Sequence, residues 1–156
     1  MTDYSVIEAT ETPYLYVERR CRRDPAEIGP AMGSGLGEVW RFMESHGIAP
    51  VGGAVAVYHD YSPDEMTFRT GFIVTRADLA KAAGDVKGAV TPAGRTVYGR
   101  HTGSYSGIPA AYGDMHRFVQ AEGLRFTAPT WEVYPNSPEE VPEEELITDL
   151  FQALEP

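Results

Sequence analysis

The chemistry in this sequence centres on a short run near the C-terminal end, Thr130-Trp131-Glu132-Val133-Tyr134-Pro135. An extended chain alternates its side chains, so Glu132 and Tyr134 share one face and Trp131 and Val133 the other. Glu132 has apolar neighbours and no basic residue beside it in sequence. If its face lines a hollow, loss of water raises the carboxyl pKa. Such an acid has two uses. It can be the counter-ion of a lipophilic cation, helped by cation–π contacts worth about 0.5–2 kcal/mol. Or it can be a general base that activates water against an electrophile, with Tyr134 foremost in orienting the substrate or stabilising developing negative charge. On an exposed edge strand the same acid would do neither.

Aromatic groups are abundant on segments that read as strands or their ends: Tyr14, Tyr16, Tyr58, Phe68, Phe72, Tyr98, Tyr105 and Tyr112. Tyr14 and Tyr16 share a face, as do Phe68 and Phe72. Tyr14, Tyr16, Tyr58, Phe68, Phe72 and Tyr105 join Glu132 and Tyr134 as candidate ligand contacts, although core packing is the commoner use of a domain's aromatics. Trp131 faces away from Glu132 and is assigned to the core.

Other motifs carry less. Gly33-Ser34-Gly35-Leu36-Gly37 is not a dinucleotide fingerprint, because Glu38 stands where the last glycine belongs and no strand runs into it. Gly103-Ser104-Tyr105-Ser106-Gly107 has Tyr105 where a nucleophile elbow needs serine. His46, His59, His101 and His116 lack metal-ligand spacing, so no metal and no cofactor is expected. The one cysteine, Cys21, excludes an internal disulfide framework. It sits in the basic cluster Arg19-Arg20-Cys21-Arg22-Arg23, whose arginines would lower its pKa if they crowd it. A bland strand cysteine is the simpler reading, and the cluster is expected to ion-pair with the acidic stretch Glu139 to Glu145.

Positioning falls to one ordinary domain. The chain has 156 residues, 42% apolar and 23% charged, a globular balance. No apolar run reaches the ~18–20 residues of a membrane span, and the start lacks a signal-peptide pattern, so the expected compartment is the cytoplasm. The net charge of −10 disfavours direct nucleic-acid binding.

The main organising feature is an internal repeat at an offset of 76. The stretch Gly37-Glu38-Val39-Trp40-Arg41-Phe42-Met43 matches Gly113-Asp114-Met115-His116-Arg117-Phe118-Val119. Val55-Ala56-Val57-Tyr58 matches Trp131-Glu132-Val133-Tyr134. Two copies are too few for a solenoid, so a pseudo-twofold pair of halves, about 1–76 and 88–156, is expected within one domain spanning 1–156. Each half reads β-β-α-β-β. In the first, Ser5–Ala9 and Tyr14–Arg22 are strands around a turn at 10–13. A helical region runs from Pro25 to His46, with Val39, Phe42 and Met43 buried and Gly47 as its stop, though the glycines from 33 to 37 weaken its front. Val51–Asp60 and Met66–Thr75 are further strands. In the second half, Gly88–Thr91 and Arg95–Thr102 are strands. Ile108–Glu122 is a helix over Met115, Phe118 and Val119, with Pro109 in its first turn and Gly123 after it. Thr130–Tyr134 is a strand. Leu146–Leu154 is spaced like a helix but matches a strand in the repeat, and strand is the reading adopted. Residues 76–87 are a short helix or a linker.

The doubled strand-strand-helix-strand-strand pattern, the Trp131-Glu132-Val133-Tyr134-Pro135 strand and the Pro-Glu-Glu-Glu-Leu segment at 142–146 resemble the GyrI-like small-molecule-binding superfamily. That domain is also the effector-binding half of multidrug-sensing and AraC-type activators. The resemblance covers nearly the whole chain. It implies an α+β fold, a curved antiparallel sheet of about eight strands with two helices on one face and a ligand cleft on the other, where the halves meet. It also implies Trp40 as a pocket wall. No helix-turn-helix segment flanks the domain, so the resemblance is to free-standing members.

Three functions compete. The first is capture of hydrophobic, cationic or aromatic small molecules, as a sensor, a sink or an accessory to a separate regulator, with Glu132 as the buried acid. The second is cofactor-independent hydrolysis of electrophilic, cyclopropanoid-like toxins, with Glu132 as base. The third is an acidic protein-interaction module of the topoisomerase-inhibitor kind.

Overall fold

The computed structural model describes residues 2–59 and 62–156. Among them are eight strands and two α-helices, and every pairing within the two units described below is antiparallel. The architecture is mixed α+β, as expected. None of these helices is long and apolar enough to cross a membrane. The chain divides into two compact units: Glu11–Thr91, and the chain up to Thr10 together with Pro92–Pro156.

The unit Glu11–Thr91 holds β2 (Pro13–Arg22), α1 (Pro25–Ser45), β3 (Ala54–Tyr58), β4 (Glu65–Ile73) and β5 (Lys87–Val90), in the sheet order β3-β4-β2-β5. Its helix starts where the sequence says it should. Asp24 caps it, accepting from the Ala26 N–H at 3.0 Å, and Pro25 opens the first turn. Gly47, at φ 65°, ends it. Between these ends α1 runs unbroken through Pro30 and the glycine-rich stretch. Packing offsets the poor local propensity. Val39 and Met43 are buried with Leu15, Val17, Ile48, Val74 and Val86, and Phe42 and Phe72 pack against them. Gly35 is buried against the sheet, where a Cβ would come within 2.1 Å of the Thr70 methyl. The glycine is what lets α1 lie so close.

The other unit holds β1 (Tyr4–Ala9), β6 (Gly94–Thr102), α2 (Ile108–Ala121), β7 (Phe126–Tyr134) and β8 (Ile147–Leu154), in the order β1-β6-β8-β7. Ala111, Met115 and Val119 on α2 cover Val97, Leu150 and Leu154. Tyr4 ties β1 to the helix, its hydroxyl donating to the Ala111 carbonyl at 2.6 Å.

Several expectations shift. The compact units are not the sequence halves 1–76 and 88–156. β1 pairs with β6, and β5 pairs with β2, so the first strand of each repeat belongs to the other unit. Residues 76–81 form a 3-10 turn. β3 is shorter than expected at its start because Gly52 and Gly53 precede it and Val51 is 60% exposed; Asp60, its expected end, lies outside the described residues. β7 begins four residues before Thr130. Pro129 conceals this in the sequence, and the register with β8 slips between Phe126 and Thr130. The last segment, ambiguous in sequence, is a strand as expected: β8 lies between β6 and β7, and its helical spacing reflects burial on both faces.

The arginine cluster pairs within its own unit. Arg19 meets Glu38 at 2.7 Å and Arg20 meets Glu65 at 3.1 Å, rather than the stretch from Glu139 to Glu145. Cys21 is not activated. Desolvation and Glu27 raise its pKa more than Arg23 lowers it.

Candidate functional site

β7 and α2 together build the site. Directly opposed residues of an antiparallel sheet share a face. Glu132 is opposite Leu150, and Leu150 opposite Gly99, which is opposite Tyr4. Leu150 packs under α2, and Tyr4 bonds to it, so Glu132 lies on the helix-bearing face of its sheet. The resemblance had implied a cleft on the face without helices; the acid is on the other one. Trp131 points away, stacked on Phe151 at 5.1 Å, and is buried as expected.

Glu132 is 6% exposed. Tyr112 on α2 donates its hydroxyl to Oε2 at 2.6 Å. Tyr134, two residues on and on the same face, donates to Oε1. Burial pushes the carboxyl pKa up, and the two phenol donors pull it down by less. Among the described residues no cation pairs with it.

Tyr134 is half-buried, and Tyr105 meets its ring edge-on at 5.9 Å. Tyr105 is 38% exposed, and burial raises its pKa. Tyr105, Tyr112, Glu132 and Tyr134 thus form one continuous acid-and-phenol constellation. Tyr112 was legible as an aromatic but not as a site residue. The signal was there: it precedes Met115 by three and Val119 by seven, so it borders the buried stripe of α2. Thr148 was missed entirely. It is fully buried with no partner for its Oγ, and in the strand register it follows on from the Val133–Asp149 pair beside Tyr134.

The remaining candidate contacts, Tyr14, Tyr16, Trp40, Tyr58, Phe68 and Phe72, lie in the other unit and split between its two faces. Tyr58 and Phe68 are cross-strand partners with rings 5.8 Å apart, and Phe72 shares their face, the one α1 covers. Trp40 on α1 meets Phe72 edge-on at 5.5 Å and is 43% exposed, so it is not core. Tyr14 and Tyr16 are buried on the opposite face. Tyr14 accepts from Arg69 Nη1 at 3.0 Å, and the Arg69 guanidinium lies 4.5 Å over the Tyr16 ring. Tyr14 and Tyr16 therefore cannot line the same hollow as Tyr58, Phe68 and Phe72. Alternation within one strand carries no parity relation between β2 and β4; only their pairing register does.

The model of the GyrI-like small molecule binding domain matches residues 2–154. The chain belongs to this family. A search of curated proteins found no match. Among solved structures, the C-terminal domain of EcmrR is similar with a TM-score of 0.76 at 20% identity, over 99% of this chain and 98% of that one. A hydrolase from Listeria innocua is similar with a TM-score of 0.62 at 18% identity, over 97% and 91%. SAV2435, solved bound to tetraphenylphosphonium, is similar with a TM-score of 0.59 at 11% identity, over 98% and 94%. At these identities the likeness is one of fold. Small-molecule binding is the property of the family.

Proposed function

We propose that this GyrI-like protein binds a hydrophobic organic cation or a flat aromatic compound, with Glu132 as the acid that selects it. The observation that carries the reading is a buried carboxyl with a phenol on each oxygen and no cation opposite it among the described residues. A buried carboxylate without a counter-charge is costly. A ligand cation lowers that cost, and Tyr105 and Tyr134 supply rings for cation–π contact. SAV2435 holds a lipophilic cation on a similar fold, which supports the same chemistry here.

A second reading rests on the same acid. A carboxylate whose pKa burial raises is a stronger base towards water, and adjacent phenols can donate to a developing oxyanion. Glu132 is then the base in hydrolysis of a strained, cyclopropanoid-like electrophile, with Tyr134 and Tyr112 holding the substrate. The similar fold of a hydrolase from Listeria innocua supports this reading.

Titration with tetraphenylphosphonium, followed by tryptophan fluorescence, tests the first reading. Saturable 1:1 binding that weakens at least tenfold in Glu132→Gln supports it. Equal binding by the Gln variant overturns it. Turnover of strained electrophiles that vanishes in Glu132→Gln selects the second reading.

A further inference from the structure

A second concavity lies in the unit Glu11–Thr91, on the sheet face away from α1. It measures about 190 Å³ and is walled on that face by Glu18, Val57, His59, Thr67 and Arg69. Glu18, Arg69 and Val57 stand in one row across β2, β4 and β3.

The repeat supplies an internal control. The equivalent row in the other unit is Arg100, Asp149 and Val133 across β6, β8 and β7. The two charges are exchanged between strands. In that row the ions close directly on each other: Arg100 Nε meets Asp149 Oδ1 at 2.8 Å and Nη2 meets Oδ2 at 3.0 Å. Tyr98 adds a donor to Oδ1 at 2.8 Å. The row in the first unit stays open. Arg69 is drawn aside, donating to Tyr14 and lying over Tyr16. The Glu18 carboxylate accepts no hydrogen bond and closes no ion pair among the described residues, although its charge is felt by Arg69 and His59. Where one unit closes a direct ion pair, the other has a cavity with a guanidinium on one wall and a carboxylate on the next.

We propose that this cavity is a second ligand site, for a small zwitterion whose carboxylate meets Arg69 and whose ammonium meets Glu18. A ligand carrying both charges replaces the missing ion pair. A guanidinium suits a carboxylate by its fork of donors. Thr67 and His59 add neutral hydrogen-bonding groups at the rim, and Val57 gives a short apolar floor. The volume is below the ~300–1,000 Å³ of pockets for drug-sized ligands, so the occupant is of amino-acid size. This site is separate from Glu132 and does not depend on its role.

The test is a backbone-amide NMR titration of the whole chain with alanine and with γ-aminobutyrate. Acetate and methylammonium serve as single-charge controls. The expected result is saturable shifts at Glu18, Val57, Thr67 and Arg69 with a zwitterion, and at least tenfold weaker responses to either control. Glu18→Gln, an exposed and structurally mild change, should weaken zwitterion binding about tenfold and leave the acetate response unchanged. Arg69→Gln should abolish both; if it fails to fold, the Glu18→Gln result decides. Absence of saturable shifts with both zwitterions overturns the proposal. So does acetate binding as tightly as they do, or indifference to Glu18→Gln.

Discussion

The Tyr112 hydroxyl lies 2.6 Å from Glu132 Oε2, a bond that joins the buried side of α2 to the strand β7. It holds the carboxyl in place and favours its charged form against the desolvation that opposes it. The two tyrosines are not equivalent in origin. Tyr134 reaches Oε1 from the same strand, a local contact, whereas Tyr112 comes from twenty residues away and depends on helix packing.

Tyr112→Phe removes one donor to the charged form, so the Glu132 pKa rises further. Cation binding needs the carboxylate, and it therefore grows as pH rises through that pKa. Phenylalanine should move the midpoint of tetraphenylphosphonium binding to higher pH. A hydrogen bond to a charged group is worth about 1.5–3 kcal/mol, so the midpoint should move up by about one to two pH units. Affinity measured across pH checks this, with Glu132→Gln expected to be flat. An unmoved midpoint would show that the bond does not govern the charge.

The same acid makes stability depend on pH. Its pKa is raised above 4.5 in the folded chain, so the fold favours the protonated form. The stabilisation from that form is fully present below the unfolded pKa and is lost as pH rises through the folded one. Glu132→Gln mimics the protonated acid without titrating. The variant should match the wild type near pH 4.5 and exceed it at pH 8, by about 1.4 kcal/mol for each unit of upward displacement. Urea denaturation at the two pH values is the measurement. A difference that stays constant with pH contradicts the assignment.

The pairing of Glu132 with Tyr134 could be read from the sequence because alternation along one strand is strictly local. The repeat likewise placed both helices and carried β8 past its misleading helical spacing. What could not be read was anything set by strand register. Tyr14 and Phe72 are both aromatic strand residues, yet they fall on opposite faces, and only the pairing of Leu15 with Phe72 decides it. The same holds for the exchange of β1 and β5 between units, since a turn at 10–13 suggests a hairpin that does not form. Tyr112 lay hidden for a related reason: helix periodicity gives its side, but not which strand lies beneath it.

Gly35 and Gly33 should respond oppositely to alanine. Both are helix-interior glycines, where alanine is favoured by roughly 1 kcal/mol. A Cβ at Gly33 meets nothing within 4 Å, whereas at Gly35 it would approach the Thr70 methyl to 2.1 Å and the Val17 methyl to 3.3 Å. Gly33→Ala should stabilise by up to about 1 kcal/mol. Gly35→Ala should destabilise by about 1–3 kcal/mol as overpacking outweighs propensity. Chemical denaturation of the two single variants separates them, and a stabilised Gly35→Ala would mean that α1 can lift from the sheet at no cost.

The reversed charge rows predict unequal costs for equivalent deletions. Asp149 is 8% exposed and takes three charged or phenolic donors, so removing Arg100 strips a nearly buried carboxylate of its cation. The full penalty for breaking a buried pair is about 3–5 kcal/mol. The Arg100 side chain is 51% exposed, and solvent reduces that figure. Arg100→Ala should cost about 1–2 kcal/mol. Asp149→Asn in the Arg100→Ala background should recover part of the loss, because the neutral amide no longer needs a counter-charge. At the equivalent place in the other unit, Glu18→Ala breaks no ion pair and should stay within about 0.5 kcal/mol of the wild type. Thermal or urea melts of these variants decide the matter. If Glu18→Ala proved as costly as Arg100→Ala, Glu18 would already be spending its charge on Arg69, and the open row would have to be closed in solution.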